Sequence, residues 1–450
     1  MSETSVKALG DYFTLQRGTT YESKLLGLPG PYLLGLGTIQ RNGGFRGDSL
    51  KTYGGDSPEK LLVLPGELYV SLKDVTQSAD LLGAVARLPR GHAPGRLTQD
   101  TVKLEARSAD VPSDYLYWVM RTPQYRSYCR LRATGTTNLG LSRDDFLAFQ
   151  VSAPTEQQHR LVETLESLDN KIELNHRMNE ALEAMARAIF QSWFVDFDPV
   201  LAKAGGEFPE SICQRLGLTP ELLALFPDDF EDAINGVIPA GWAQSTLGDQ
   251  AKAHGGFVQT GPFGSQLHAS DYVDEGIPVV MPQDMVNRRV SVSKVARVSE
   301  DMAQRLSRHT LQPGDVVYSR RGDVERHALV SEREAGWLCG TGCLLVRLGA
   351  DWSSQAYLSE ALDLPAAREW LVRHAVGATM PNLNTSILGA LPLLVPPEPL
   401  MQAFERIGGP LRRQQIANSL ESDSLAETRD ALLPKLLSGE LRPDETRLGA

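Results

Sequence analysis

The chain has 450 residues, 42% hydrophobic and 22% charged, with a net charge of −11, which is room for two to four domains with ordinary cores. No apolar run reaches the roughly 18–20 residues of a membrane helix, and Met1-Ser-Glu-Thr-Ser-Val-Lys lacks the order of a signal peptide, so a cytoplasmic protein is expected. Cysteines 129, 213, 339 and 343 are too sparse for a disulfide framework. Cys339-x3-Cys343 without a second pair or nearby histidines is a weak metal signal, and no metal is expected.

The acid is unevenly placed. Residues 1–153 carry 18 basic and 15 acidic groups, 154–234 carry 6 and 16, 235–396 carry 14 and 16, and 397–450 carry 7 and 9, for nets of +3, −10, −2 and −2. In 235–396, 12 of the 14 basic residues are Arg, whose planar forks suit phosphates and guanine edges. A GC-rich genome that replaces Lys by Arg would leave the same bias.

In chain order, residues 1–153 show short apolar runs at Tyr32-Leu33-Leu34, Leu61 to Leu64 and Leu68-Tyr69-Val70, broken by Gly, Pro and polar clusters as strands are. Asp114 to Arg132 has helical spacing. The pattern returns after residue 234, with strands expected at Val279-Val280-Met281, Val316-Val317-Tyr318 and Leu344-Leu345-Val346 and a helix over Ser354 to His374. Individual residues return with it: Leu9-Gly10-Asp11 as Leu247-Gly248-Asp249, Pro65-Gly66 and Ser71 as Pro313-Gly314 and Ser319, Tyr115-Leu116 as Tyr357-Leu358, and Gly135, Thr137 and Pro154 as Gly377, Thr379 and Pro396. The offsets of 238, 248 and 242 mark loop insertions within a duplicated module.

Each module is followed by a helical segment. Glu156 to Phe194 has no Pro or Gly, and Leu161, Leu165, Leu168, Ile172, Leu182, Ile189 and Trp193 share one stripe interrupted by Asn175 and Asn179. The spacing predicts a helix of about 58 Å that asks for a partner helix, with the Asn residues fixing register. The partner is expected over Leu400, Phe404, Ile407, Leu411, Ile416, Leu420, Leu425, Leu432 and Leu436, antiparallel to the first and kinked or broken at Gly408-Gly409-Pro410. Val195 to Ile234, acidic and loop-like, reads as a solvated linker or a surface for a protein partner. The domains expected are therefore a first recognition module at 1–153, a long helix at 154–195, an acidic connector at 196–234, a second module at 235–396, a C-terminal helix at 397–440 and a tail at 441–450. The fold class is α+β: two strand-rich domains in pseudo-two-fold arrangement, separated by two long antiparallel helices.

Three stretches carry a family resemblance. Leu168-Asp-Asn-Lys-Ile-Glu-Leu-Asn-His-Arg-Met-Asn-Glu-Ala-Leu-Glu-Ala-Met-Ala-Arg-Ala-Ile-Phe-Gln-Ser-Trp-Phe-Val-Asp-Phe-Asp-Pro199 resembles the central region of the specificity subunit of type I restriction-modification systems. Arg429 to Leu441 is similar to that family's terminal region, and Gly236-Val-Ile-Pro-Ala-Gly-Trp242 to the lead-in of its target-recognition domains. The first module lacks that lead-in, and its turn reads Ser71-Leu-Lys-Asp74 where the second has Ser319-Arg-Arg-Gly322. The resemblance implies a non-catalytic DNA-binding chain whose two domains each read half of a split asymmetric site. It also implies helices that dock two methyltransferase subunits and set the DNA spacing, and restriction subunits as further partners. S-adenosylmethionine, ATP and Mg2+ would then belong to those partners, with no cofactor in this chain.

The residues agree that catalysis lies elsewhere. The sequence has no Gly-x-x-x-x-Gly-Lys-Ser/Thr loop, no Gly-x-Ser-x-Gly elbow, no His-Glu-x-x-His and no Asn/Asp-Pro-Pro-aromatic motif. Candidate DNA contacts are Gln40, Arg41 and Asn42 with Gln283, Asn287 and Arg288 at matching polar exits from apolar runs. Ser71 and Lys73 match Ser319, Arg320 and Arg321 at matching turns, and Thr136, Thr137 and Asn138 match Thr379, Asn382 and Asn384 in Gly-led loops. Turn chemistry explains the Asn and Thr residues equally well, and pairing with Asp315 or Asp323 is the competing role for Arg320 and Arg321. Phe190, Trp193, Phe194, Leu432 and Leu436 read as apolar surface awaiting a partner subunit. A protein-binding scaffold without DNA affinity is the alternative.

Overall fold

A computed structural model describes residues 6–47, 50–76, 78–136, 138–234, 236–291, 295–377 and 379–438. The expected tail at 441–450 lies outside them. The chain forms two compact units, one built from the residues up to Arg177 together with those from Asn418 onward, the other from Met178–Ala417.

The duplication is visible bond by bond. Each module opens on a strand paired antiparallel with the strand that closes it, Val6–Ala8 with Gln150–Ser152 and Ala243–Thr246 with Pro392–Val395. Next comes the buried Leu of the Leu-Gly-Asp turn, whose amide donates to Phe149 in one module and to Leu391 in the other, both at 2.9 Å. Each module then builds a four-stranded antiparallel sheet in the same order: Phe13–Arg17, Thr101–Ala106, Leu68–Ser71, Val85–Arg87, and Phe257–Thr260, Cys343–Arg347, Val316–Ser319, His327–Leu329. A smaller sheet contains the only parallel pairings among the described strands, Tyr32–Leu34 with Gly95–Leu97 and Ile277–Val280 with Leu338–Cys339. Two helices cover each large sheet, Ser113–Val119 and Pro123–Leu131, then Gln355–Asp363 and Pro365–His374, with Pro at the first position of the second helix in both. The buried hydroxyls of Tyr115 and Tyr357 donate to the carbonyls of Ser152 and Leu394, positions again 242 apart. The mixed, strand-rich reading of each module holds.

The central helix runs over Glu156–Phe194, the limits set by the Pro- and Gly-free stretch. In the first unit its partner lies antiparallel: the Asn175 amide, fully buried, donates to the Asn418 carbonyl at 3.3 Å and to Glu421 at 2.8 Å, and Arg429 bonds Asp169 at 2.8 Å. The seam here is polar. Asn418 and Ser422 are buried while Leu420, expected at the seam, is 41% exposed. A buried amide with directional partners fixes register, which an all-apolar stripe does less well.

Of the kink or break expected at Gly408-Gly409-Pro410, the break is absent: the second helix is continuous over Glu398–Leu432. Proline removes one donor, and the flanking core holds the helix through it: Leu400 and Phe404 are fully buried, and a Cβ on Gly408 would stand 2.9 Å from the Ala356 Cβ, so glycine permits that close approach. The Val195 to Ile234 segment is not a loop. It forms helices Asp198–Ala204, Pro209–Leu216 and Pro220–Leu223 and then a hairpin of Phe230–Ala233 with Gly236–Pro239. Each helix starts with a proline in its first turn, and Val200, Ile212, Leu223 and Phe226 bury against the second unit's core. Of the segment's acidic residues, Asp198, Glu210 and Glu221 lie in these helices, while Glu231 and Asp232 are exposed on the hairpin.

Candidate nucleic-acid interface

In each module a turn at the end of a sheet strand meets a Gly-led loop. The loop of the first module is closed at its ends by two backbone bonds between Thr134 and Gly140, 2.9 and 2.8 Å; that of the second by two between Val376 and Asn382, both 2.9 Å. Gly135 and Gly377 have φ of +97° and +109°, and a Cβ there would strike the carbonyl oxygens of Asn138 at 2.3 Å and Met380 at 2.7 Å. Only glycine fits this turn. The strand turn docks on the loop the same way twice: Lys73 pairs with Gly140 and Arg321 with Asn382. One residue earlier, the carbonyls of Leu72 and Arg320 each accept an amide at 2.9 Å, from Leu141 and Leu383. Each module thus presents a strand-end cation against a polar loop closed at its ends by backbone bonds.

This geometry sorts the candidates. Thr136, Asn138, Thr379, Lys73 and Arg321 are exposed at the turn and loop, and Arg320 is half-buried beside them. Thr137 lies outside the described residues. Lys73 bonds Asp100 at 3.1 Å, whereas Arg320 and Arg321 make no side-chain hydrogen bond or ion pair among the described residues. The competing role for these arginines, pairing with Asp315 or Asp323, is not seen: Asp315 binds Arg347 and Asp323 binds Arg326.

Several candidates are corrected. Ser71 and Ser319 are buried, and their hydroxyls turn inward to the carbonyls two residues on, at 2.5 and 3.0 Å; the repeated serine shapes the turn. Asn287 and Arg288 both have positive φ, 49° and 61°, and form the two-residue turn of the hairpin Met285–Val286 with Arg289–Val290. The Arg288 side chain then folds in to Glu360 at 2.8 Å and Glu183 at 3.0 Å, where burial disfavours its charge but these carboxylates and Asp363 outweigh it and raise its pKa. Asn384 caps a helix by accepting from the Ile387 amide, as Ser142 caps the equivalent helix in the first module. Asn382 is half-buried with Oδ1 enclosed and unpartnered. Gln40, Arg41 and Gln283 are exposed; Asn42 takes positive φ and accepts from Arg130 at 2.9 Å.

The expected partner surface is also corrected. Phe190, Trp193 and Phe194 are 2–4% exposed, packed on Tyr357, Phe404, Trp242 and Phe226 at the centre of the second unit's core. Leu436 is fully buried and Leu432 half-buried against the first unit's core. Their own modules cover them.

The sequence reading missed how modules grip the helices. In the first unit Arg87 reaches Glu166 at 2.7 Å, Trp118 Nε1 donates to the same carboxylate at 2.5 Å, and Arg121 approaches Asp169 at 3.5 Å. In the second, Arg289 bonds Gln415 at 2.7 Å, and Arg412 donates to the Leu329 carbonyl while burial, with Arg288 and Arg289 nearby, lowers its pKa to about 10. No spacing motif marks such pairs. Phe263 and Met380, 53% and 62% exposed at the second turn and loop, were visible only as isolated apolar residues.

No protein-family profile matches the chain. Its sequence is 25% identical over 375 residues to the type I restriction enzyme HindI specificity subunit of Haemophilus influenzae, covering 75% of this chain and 79% of that protein. It is 25% identical over 336 residues to the MjaIX specificity subunit of Methanocaldococcus jannaschii, covering 74% and 70%. The S subunit of a type I restriction-modification system from M. genitalium shares its fold, with a TM-score of 0.57 over 96% of both chains at 16% identity. The resemblance carried by the central helix and the C-terminal segment thus extends over three quarters of the sequence, and to the fold, of type I restriction specificity subunits.

Proposed function

We propose that this chain is the specificity subunit of a type I restriction-modification complex. It binds duplex DNA without chemistry of its own, each module reading one half of a two-part asymmetric site, while two methyltransferase subunits and the restriction subunits supply methyl transfer, ATP hydrolysis and cleavage. S-adenosylmethionine, ATP and Mg2+ are needed on those partners.

The observation that carries this reading is the duplicated seat in which a strand-end cation is clamped against a Gly-led polar loop. Exposed cationic, hydroxyl and amide groups on a turn bonded to a closed loop are what base-edge and phosphate recognition requires, and duplication of the seat with different side chains is what two unequal half-sites require. Among the described residues no group of three or more His, Cys, Asp or Glu is placed to hold a metal, and no helix is long and apolar enough to cross a membrane.

Equilibrium binding of the chain, co-expressed with its methyltransferase partner, to duplex DNA over a salt series tests the reading. Log K falling linearly with log salt, by about 0.9 per phosphate neutralised, and tighter binding to one duplex sequence than to competitors is expected. A soluble co-purified complex with no salt-dependent DNA binding would instead make the chain a protein scaffold.

A further inference from the structure

The residue-by-residue equivalence of the two seats isolates one position. Leu72 and Arg320 follow the buried serines, hold the same backbone bond and precede Lys73 and Arg321. In the first module the side chain is a half-buried leucine packed against the core. In the second, an arginine stands in the same place, its Nε enclosed without a partner and its guanidinium lying over the Phe263 ring at 5.8 Å. Enclosing an unpaired donor costs stability, and the duplicate shows that an apolar residue satisfies the turn. Arg326, six residues on, is paired with Asp323, as is Arg347 with Asp315, so a general excess of arginine over carboxylate does not account for Arg320 having no carboxylate partner.

We propose that Arg320 is a specificity-determining residue of the second module and reads a guanine in its half-site. The inference rests on the DNA-recognition reading above. A planar fork offering paired donors matches the O6 and N7 acceptors of guanine in the major groove, a pattern no other base presents. The Phe263 ring orients the guanidinium before binding, and the backbone bonds at Arg320 N to Gly342 (2.8 Å) and Arg320 O to Leu383 fix its root. Arg321, exposed next in sequence, anchors phosphate. The first module, with leucine at this place, has no guanine reader there, so the two half-sites differ in this base.

The test is methylome sequencing of a host without modification systems of its own, expressing the methyltransferase partner with the unaltered chain, with Arg320→Leu or with Arg320→Lys. Leucine is already accommodated at the equivalent place, so the fold is preserved. The expected result for Arg320→Leu is a two-part motif in which one half is unchanged and one guanine of the other half is relaxed, with discrimination at that base down on the order of 10- to 100-fold; Arg320→Lys relaxes the same base less. An unchanged motif with Arg320→Leu would overturn the assignment, and so would a uniform loss of methylation with both variants, which marks a phosphate contact. If the unaltered chain directs no motif, the specificity reading itself fails and this inference with it.

Discussion

The two seats share a backbone and differ in what they present. In the first, the strand-end cation is a lysine already engaged by Asp100, the preceding residue is an apolar Leu72, and the loop offers Thr136 and Asn138. In the second, the guanidiniums of Arg320 and Arg321 make no hydrogen bond or ion pair among the described residues, and Phe263, under Arg320, and Met380 are exposed. The comparison teaches that duplication conserved the parts that make the turn, the serine hydroxyl, the glycine and the closing bonds. It left the outward side chains to diverge. Those diverged positions are where discrimination between two half-sites belongs.

The largest effect is expected in the second unit's core: Trp193→Ala should cost about 3–5 kcal/mol in chemical denaturation of that unit. The complex that still assembles should methylate the same motif, whereas a folded variant lost only from the methyltransferase complex would return Trp193 to the partner surface. In the first unit, Glu166→Ala removes the acceptor shared by Arg87 and Trp118 and should cost about 1–3 kcal/mol, discounted because the pair is partly exposed; an unchanged denaturation midpoint would show that the grip on the helix lies elsewhere. Ser71→Ala and Ser319→Ala should each cost about 1 kcal/mol and leave both half-sites as they are. A changed base preference in either would put that hydroxyl back at the DNA.

Acidity offers a smaller lever on the second unit. Burial lowers the pKa of His327, with the Glu325 carbonyl and Asp363 opposing, and burial together with Arg308 lowers that of His309. Both are held neutral when folded and take up protons on unfolding, so their contribution is present above the unfolded value of 6.5 and is lost as pH falls below it. The melting temperature should therefore drop on acidification below pH 6.5, and His327→Phe should flatten that dependence; an equal drop in the variant would remove His327 from the account. The finest distinction is in salt: Arg321→Gln should reduce the salt slope of DNA binding by about 0.9, and Lys73→Gln by less, since Asp100 already offsets its charge.

How much of this was legible in the sequence depended on length and on locality. A helix of 39 residues without Gly or Pro declares itself, and ordered repeats such as Tyr115 and Tyr357 survive loop insertions because they mark the same closing bond. Helices of seven, eight and four residues in the acidic segment are too short for periodicity to show, and tertiary burial forms them. Gly408-Gly409-Pro410 misled because the local rule ignores the packing that carries the helix through. The apolar stripe ending in Trp193-Phe194 was read as awaiting a partner because a stripe states that a face is buried, not which chain buries it. Glycine and polar clusters marked the turns and loops that carry the candidates, but whether Ser, Asn or Arg faces outward is decided by bonds, such as Ser71 to Lys73 and Arg288 to Glu360, that spacing does not encode.

The central claim is that this chain chooses the sequence its partners act on. Methylome sequencing of a modification-free host expressing the methyltransferase partner alone, and then together with this chain, tests it directly. Adenine methylation at a two-part motif with a fixed spacer, present only when this chain is present, is the predicted result. The same methylation without the chain, or no motif from a soluble assembled complex, would contradict it.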